Sequence, residues 1–280
     1  MTLALDHITK TVGAETHLYD LSVELAPGSL NVLLGPTLAG KTSLMRLMAG
    51  LDRPATGRIS VDGQDVTGLS VRKRSVAMVY QQFINYPSFT VYDNIASPLR
   101  RAGVDKAEID RRVRETAALL HIDALLDRLP AELSGGQQQR AAIARTLVQG
   151  AEVLIADEPI ASLDPNAARR VMDILADLNR EEGITVLVSL HQVEFALRYC
   201  PRTIALRDGE VVYDGPSDAL TPAFLSELYG AESKELFLPG LDQETSGPKP
   251  EPAKAGRRPP SDAELEKSGA DGALVTAGAS

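Results

Sequence analysis

The 280-residue sequence contains one cysteine, Cys200. A single thiol excludes an internal disulfide scaffold and a thiolate metal cluster, and it points to a reducing compartment with Cys200 as a buried structural thiol. Long apolar runs are missing as well. The longest, such as Val153–Ala156 and Val186–Val188, fall far short of the roughly 20 residues a membrane helix needs. The start, MTLALDHITK, lacks the basic lead and apolar stretch of a secretory signal, so a cytoplasmic chain is expected. There is no basic excess: 29 Lys+Arg against 38 Asp+Glu give a net charge of −9. That balance argues against a nucleic-acid partner, whose counterions must be displaced by protein cations. The Arg-rich run from Arg100 to Arg114 is interleaved with Asp105, Glu108 and Asp110 and reads as a solvated helix face. Residues 241–280 hold no aromatic, five Pro, five Gly and four residues of the Leu/Val/Ile/Phe set, too little apolar surface to offset the entropy of ordering them. The expectation is one domain over 1–234 and a mostly disordered tail over 235–280.

Within 1–234 the pattern alternates between strands and helices. LSVEL (Leu21–Leu25) and RISV (Arg58–Val61) alternate as half-buried strands do. NVLL (Asn31–Leu34), VLIA (Val153–Ala156) and TVLVS (Thr185–Ser189) are short continuous runs, as in strands covered on both faces. Val171, Ile174, Leu175 and Leu178 line one helix face between two of these strands. Strand, helix, strand at this spacing predicts an α/β fold with a parallel sheet and crossover helices. Asp62-Gly63 and Asp208-Gly209 are hairpin turns between antiparallel strands. Ile109, Val113, Ala117 and Leu120 form a second helical stripe where strand signals are absent, so residues 88–149 are expected to be a helical insertion.

Three short segments carry chemistry. After NVLL comes Gly35-Pro36-Thr37-Leu38-Ala39-Gly40-Lys41-Thr42, a G-x-x-x-x-G-K-[ST] loop between a strand and a helix. Its backbone N–H groups and the helix N-terminus face one anion, Lys41 adds a positive charge near the β- and γ-phosphates, and Thr42 offers a hydroxyl to Mg²⁺. VLIA runs into Asp157-Glu158-Pro159, two acids at the C-terminal end of a buried strand, where open α/β sheets hold ligands. Asp157 suits Mg²⁺ and Glu158 suits an attacking water; adjacent acids could also merely favour a helix start. Leu133-Ser134-Gly135-Gly136-Gln137 precedes another helix and reads equally as a helix cap or as a second phosphate-binding end.

Together these segments resemble the ATP-binding cassette (ABC) ATPase family, with the phosphate loop at Gly35–Thr42, the LSGGQ signature at Leu133–Gln137 and DEP at Asp157–Pro159. The resemblance adds Gln81 in VYQQF, Asp164 in ASLD and His191 in VSLHQ. It implies a P-loop NTPase of ABC type: a mixed parallel core, an antiparallel β subdomain and a helical insertion. It also implies a head-to-tail homodimer in which Gly35 through Ser43 of one protomer and Ser134, Gly135, Gly136 and Gln137 of the other hold each ATP. In that scheme Glu158 is the base and His191 touches the γ-phosphate. Thr42, Gln81 and Asp157 hold Mg²⁺, while Asp164 couples the two sites.

Where the family stacks an aromatic residue on adenine, this chain has Val12 in TKTVG, with His17 and Tyr19 as substitutes; where it has a loop glycine, this chain has Leu38. Weak stacking at Val12 predicts that ATP and GTP are hydrolysed at rates within a few-fold of each other, and a strong preference for ATP in a side-by-side assay would refute it.

Separate ATPase chains are typical of importers, so the resemblance implies two transmembrane permease subunits, a periplasmic or surface substrate-binding protein acting through them, and a peripheral place on the cytoplasmic face of the inner membrane. Residues 1–130, including GPTLAGKTSLMRLMAGLD, resemble the ATPases of glycerol and related polyol importers. Residues 141–237, including LIADEPIASLDP and LYGAESKELF, resemble those of phosphonate importers, and the chain as a whole is read as phosphonate-type. A soluble ABC ATPase outside transport is the reading from another class; such proteins usually carry two cassettes or a long coiled-coil insertion, and the sequence shows neither.

Overall fold

The computed structural model describes residues 1–69 and 74–230; the tail expected over 235–280 lies outside the described residues. In chain order these form β1 (Leu3–Val12), β2 (Glu15–Leu25), β3 (Leu30–Leu34), α1 (Lys41–Ala49), β4 (Thr56–Val61), β5 (Gln64–Asp65), β6 (Val76–Val79), α2 (Val91–Arg101) and α3 (Lys106–Leu119). They continue with α4 (Gly135–Leu147), β7 (Val153–Asp157), α5 (Pro165–Glu182), β8 (Thr185–Ser189), α6 (Val193–Tyr199), β9 (Arg202–Arg207), β10 (Glu210–Pro216) and α7 (Pro222–Tyr229).

One sheet has the order β10-β9-β3-β8-β7-β6 and the other β2-β1-β4-β5. In the first, β3, β6, β7, β8 and β9 run parallel and β10 closes one edge antiparallel. The second sheet is antiparallel throughout. The continuous apolar runs have a physical reason, because β3, β7 and β8 are buried along their whole length. Alternate residues serve different cores. Leu154, Ala156, Val186 and Val188 pack with α2 to α5, whereas Val153, Ile155 and Leu187 pack with α1 and the antiparallel sheet.

Both Asp-Gly turns have two successive positive φ angles, 47° and 78° at Asp62-Gly63 and 52° and 80° at Asp208-Gly209, as a type I′ hairpin requires. Between β6 and β7 lie the helices α2, α3 and α4, with Ile109, Val113, Ala117 and Leu120 buried. The Arg-rich face of α3 is exposed and laced with ion pairs: Arg111 joins Glu108 and Glu115, and Arg114 joins Asp110. Cys200 is buried, and that burial pushes its thiol up to about 12, which leaves it protonated and unreactive at neutral pH.

Candidate active site

The parallel order brings the C-terminal ends of β3, β7 and β8 together. Gly35 follows β3 with φ 148°, and a Cβ there would collide with the Leu206 carbonyl oxygen of β9, so glycine alone fits. The loop then turns through Pro36 and Thr37 to Leu38, whose φ is 66° and whose side chain is 96% exposed. Leucine therefore takes a left-handed conformation at a cost of about 1–2 kcal/mol, and the loop keeps its turn without the family's glycine. Gly40, at φ 97°, precedes α1 and provides no side-chain cap, so nothing competes for the positive end of the helix dipole. Lys41 is only 6% exposed, and its Nζ curls back to donate to the carbonyls of Gly35 at 2.6 Å and Pro36 at 2.9 Å.

A hydrogen-bonded chain joins this loop to the paired acids. Thr42 Oγ1 donates to Asp157 Oδ2 at 3.0 Å, and Ser189 Oγ donates to Asp157 Oδ1 at 2.8 Å. The Glu158 N–H donates to the same Ser189 Oγ at 2.9 Å. Glu158 has φ 46°, a strained conformation for a residue with a side chain, and Ser189 holds it there. His191 Nε2 lies 2.6 Å from Glu158 Oε1, a separation that requires a proton between two atoms that are otherwise both acceptors. The hydrogen bond from His191 holds the Glu158 carboxyl below its ordinary value, against the opposing effect of burial. The group is therefore a carboxylate at neutral pH.

Ser189 is the residue that motif reading missed. A serine ending an apolar strand has no signature of its own; its place follows only from the register of β7 and β8, which sets Asp157 opposite Ser189. Ser189→Ala removes a donor to Asp157 and the acceptor that pins Glu158. It is expected to lower stability by about 1–3 kcal/mol and hydrolysis by about tenfold, read by thermal melting and a phosphate-release assay; an unchanged rate would show that Glu158 is positioned without it.

Thr42 and Asp157 present hard oxygens within 3.0 Å of each other, a donor set that fits Mg²⁺, which takes one or two protein oxygens and completes its shell with water and phosphates. Among the described residues no group of three His, Cys, Asp or Glu side chains could hold a metal by itself, so phosphate oxygens would have to share in the coordination. Gln81 is exposed two residues beyond β6, and among the described residues no hydrogen bond joins it to Thr42 or Asp157.

The signature segment occupies a separate place. Ser134 caps α4 in a reciprocal box with Gln137, the Ser134 N–H donating to Gln137 Oε1 at 2.9 Å and the Gln137 N–H to Ser134 Oγ at 3.4 Å. Asp164 caps α5 by accepting from the N–H groups of Asn166 and Ala167. The two helix starts meet so closely that a Cβ on Gly136 would stand 2.9 Å from the Ala167 Cβ, whereas Gly135 has room. Ser134, Gly136, Gln137 and Asp164 line one hollow of about 200 Å³ with Arg140 and Arg170. None of these residues belongs to the phosphate loop. The starts of α1 and α4 thus lie at separate places on the chain.

Beside the loop, His17 Nδ1 lies 3.3 Å from Ser43 Oγ in α1. The Tyr19 ring instead packs on the Asp208-Gly209 turn, where a Cβ on Gly209 would meet Tyr19 Cδ2 at 2.8 Å. Val12 is half exposed at the end of the β1–β2 hairpin. Both rings offered as substitutes for the missing aromatic therefore lie near the phosphate loop, His17 against Ser43 and Tyr19 on a turn whose Gly209 N–H donates to the Ala39 carbonyl at 3.2 Å.

Residues 18–161 match the ABC transporter family. The phosphonates import ATP-binding protein of Stutzerimonas stutzeri is 43% identical over 255 residues, covering 84% of this chain and 92% of that protein. The chain belongs to the ABC transporter ATP-binding family. The corresponding protein of Cupriavidus pinatubonensis is 44% identical over 267 residues, covering 89% of this chain and 95% of its own. Among solved structures, the ATP-binding cassette MJ0796, a dimer in a post-hydrolysis state bound to ADP and Pi, superimposes with a TM-score of 0.69 at 30% identity, over 78% of this chain and all of that one. As an ABC cassette the chain binds ATP and is an ATPase subunit of importer type, coupled to transport. No helix among the described residues is long and apolar enough to cross a membrane.

Proposed function

We infer that this ABC subunit powers the uptake of phosphonates and related phosphate esters, working as a homodimer on two transmembrane permease subunits at the cytoplasmic face of the membrane, with a substrate-binding protein delivering the cargo. The observation that carries the catalytic part is the continuous hydrogen-bonded chain Thr42–Asp157–Ser189–Glu158–His191 beside the phosphate loop. The cargo reading rests on the import proteins that match most of the chain.

In this reading Lys41 exchanges the Gly35 and Pro36 carbonyls for the β- and γ-phosphates of ATP, while the loop and the start of α1 supply N–H groups. Thr42, Asp157 and Gln81 would hold Mg²⁺, which would neutralise phosphate charge. Glu158 accepts a proton from the attacking water. His191, already bonded to Glu158, orients it and reaches the γ-phosphate. Ser134 and Gly136 of a second copy close over the same nucleotide, and Asp164 links the two sites. The separate places of the α1 and α4 starts on each chain, and the dimeric state of MJ0796 with ADP and Pi, support the two-copy arrangement.

Complementation tests the cargo. A strain lacking its own phosphonate-import ATPase but retaining the permease and binding protein should regain growth on a phosphonate as sole phosphorus source when it expresses this chain. Rescue of a glycerol-import mutant instead would give the cargo to the polyol class that residues 1–130 resemble.

A further inference from the structure

Tyr229, the last residue of α7, lies against the phosphate loop from outside the motif. Its ring is 3% exposed and its hydroxyl accepts the buried Gly35 N–H at 3.3 Å. Two further groups hold the same glycine. The Leu206 carbonyl leaves no room for a side chain there, and Lys41 Nζ takes the Gly35 carbonyl at 2.6 Å. These contacts differ in kind. The ammonium of Lys41 is drawn toward phosphate charge and exchanges the carbonyl for it; the Tyr229 hydroxyl is neutral and belongs to another element.

Helix α7 is fixed independently of the loop. Thr221 Oγ1 caps it by accepting the Phe224 N–H at 3.1 Å, with Pro222 in the first turn. Leu225 and Leu228 are buried in the core shared with α2 to α5, and Arg207 Nη1 donates to the Glu227 carbonyl at 3.3 Å. The hydroxyl therefore meets the loop from a rigid support.

We propose that Tyr229 is a positioning residue for ATP, which keeps the first loop glycine in place while Lys41 passes from the loop carbonyls to the nucleotide. The proposal rests on the reading of Gly35–Thr42 as the ATP site. Without the hydroxyl, the Gly35 N–H loses its acceptor in a buried place, and the free protein gains by shifting the loop to find another. ATP then restores the loop at the expense of its own binding. Such a loss is equal in the ground and transition states, so it raises KM and leaves kcat alone.

The test uses the full chain with Tyr229→Phe, a fluorescent ATP analogue for Kd, steady-state hydrolysis and amide exchange. Kd and KM are expected to weaken about 3- to 10-fold with kcat within about twofold. Exchange should accelerate in residues 33–40 and stay unchanged in 222–228. Leu225→Ala, a core truncation in the same helix, should lower the melting temperature and leave ATP affinity within about twofold. Parental affinity and parental exchange at 33–40 in Tyr229→Phe would overturn the proposal, and so would an equal affinity loss in Leu225→Ala. Lys41→Ala reports separately on the ATP site: if it binds ATP like the parent, the failure lies with the loop and not with Tyr229.

Discussion

Replacing Glu158 with glutamine is expected to lower ATP hydrolysis by about 10²–10⁴-fold, with ATP binding within a few-fold of the parent. Glutamine has nearly the same shape and still accepts the hydrogen bond from His191, which lies 2.6 Å from Glu158 Oε1. It cannot take up a proton. The backbone is also preserved, because the strained φ of 46° is held by the Glu158 N–H donating to Ser189 Oγ, and the side-chain change leaves that bond intact. A variant that binds but does not hydrolyse should collect as an ATP-bound dimer, visible by size-exclusion chromatography with ATP and lost without it. Turnover at the parental rate would remove Glu158 from the role of base.

Lys41→Ala is expected to weaken ATP binding by about 10²-fold, the loss of about 2.7 kcal/mol of charge-assisted bonding. The ammonium already sits among loop atoms, donating to Gly35 and Pro36 carbonyls, so ATP meets a prearranged cation. Alanine is a good helix former at the first position of α1, and the melting temperature should fall by no more than a few degrees. Calorimetric titration with ATP and a thermal melt on the same samples separate loss of binding from loss of fold. Parental affinity in a folded variant would place the nucleotide elsewhere.

The parts of this molecule legible in its sequence share one property: their signal is local. NVLL, VLIA and TVLVS announce strands covered on both faces because no polar residue interrupts them, and the two Asp-Gly turns announce hairpins because few other pairs tolerate two positive φ angles. The loop Gly35–Thr42 is legible because its two glycines, lysine and threonine fall at fixed spacing within eight consecutive residues between a strand and a helix. The strand β6 is harder to read, since four apolar residues fit a helix as well as a strand. Ser189 and Tyr229 are silent for another reason. One acquires meaning from the register of β7 with β8, the other from a contact 194 residues along the chain from Gly35. For Ser134 the structure shows the cap on α4, and the second reading, as a phosphate-binding end, stays a proposal for the hollow that it lines with Asp164, Arg140 and Arg170.

One experiment tests the phosphonate assignment directly. Co-expressed with the membrane subunits of a phosphonate importer and, in parallel, with those of a glycerol importer, the chain should co-purify with the phosphonate pair. The purified assembly should then hydrolyse ATP faster when a phosphonate-loaded binding protein is added. Recovery with the glycerol pair alone would contradict the account and give partner choice to the half of the chain that precedes the signature.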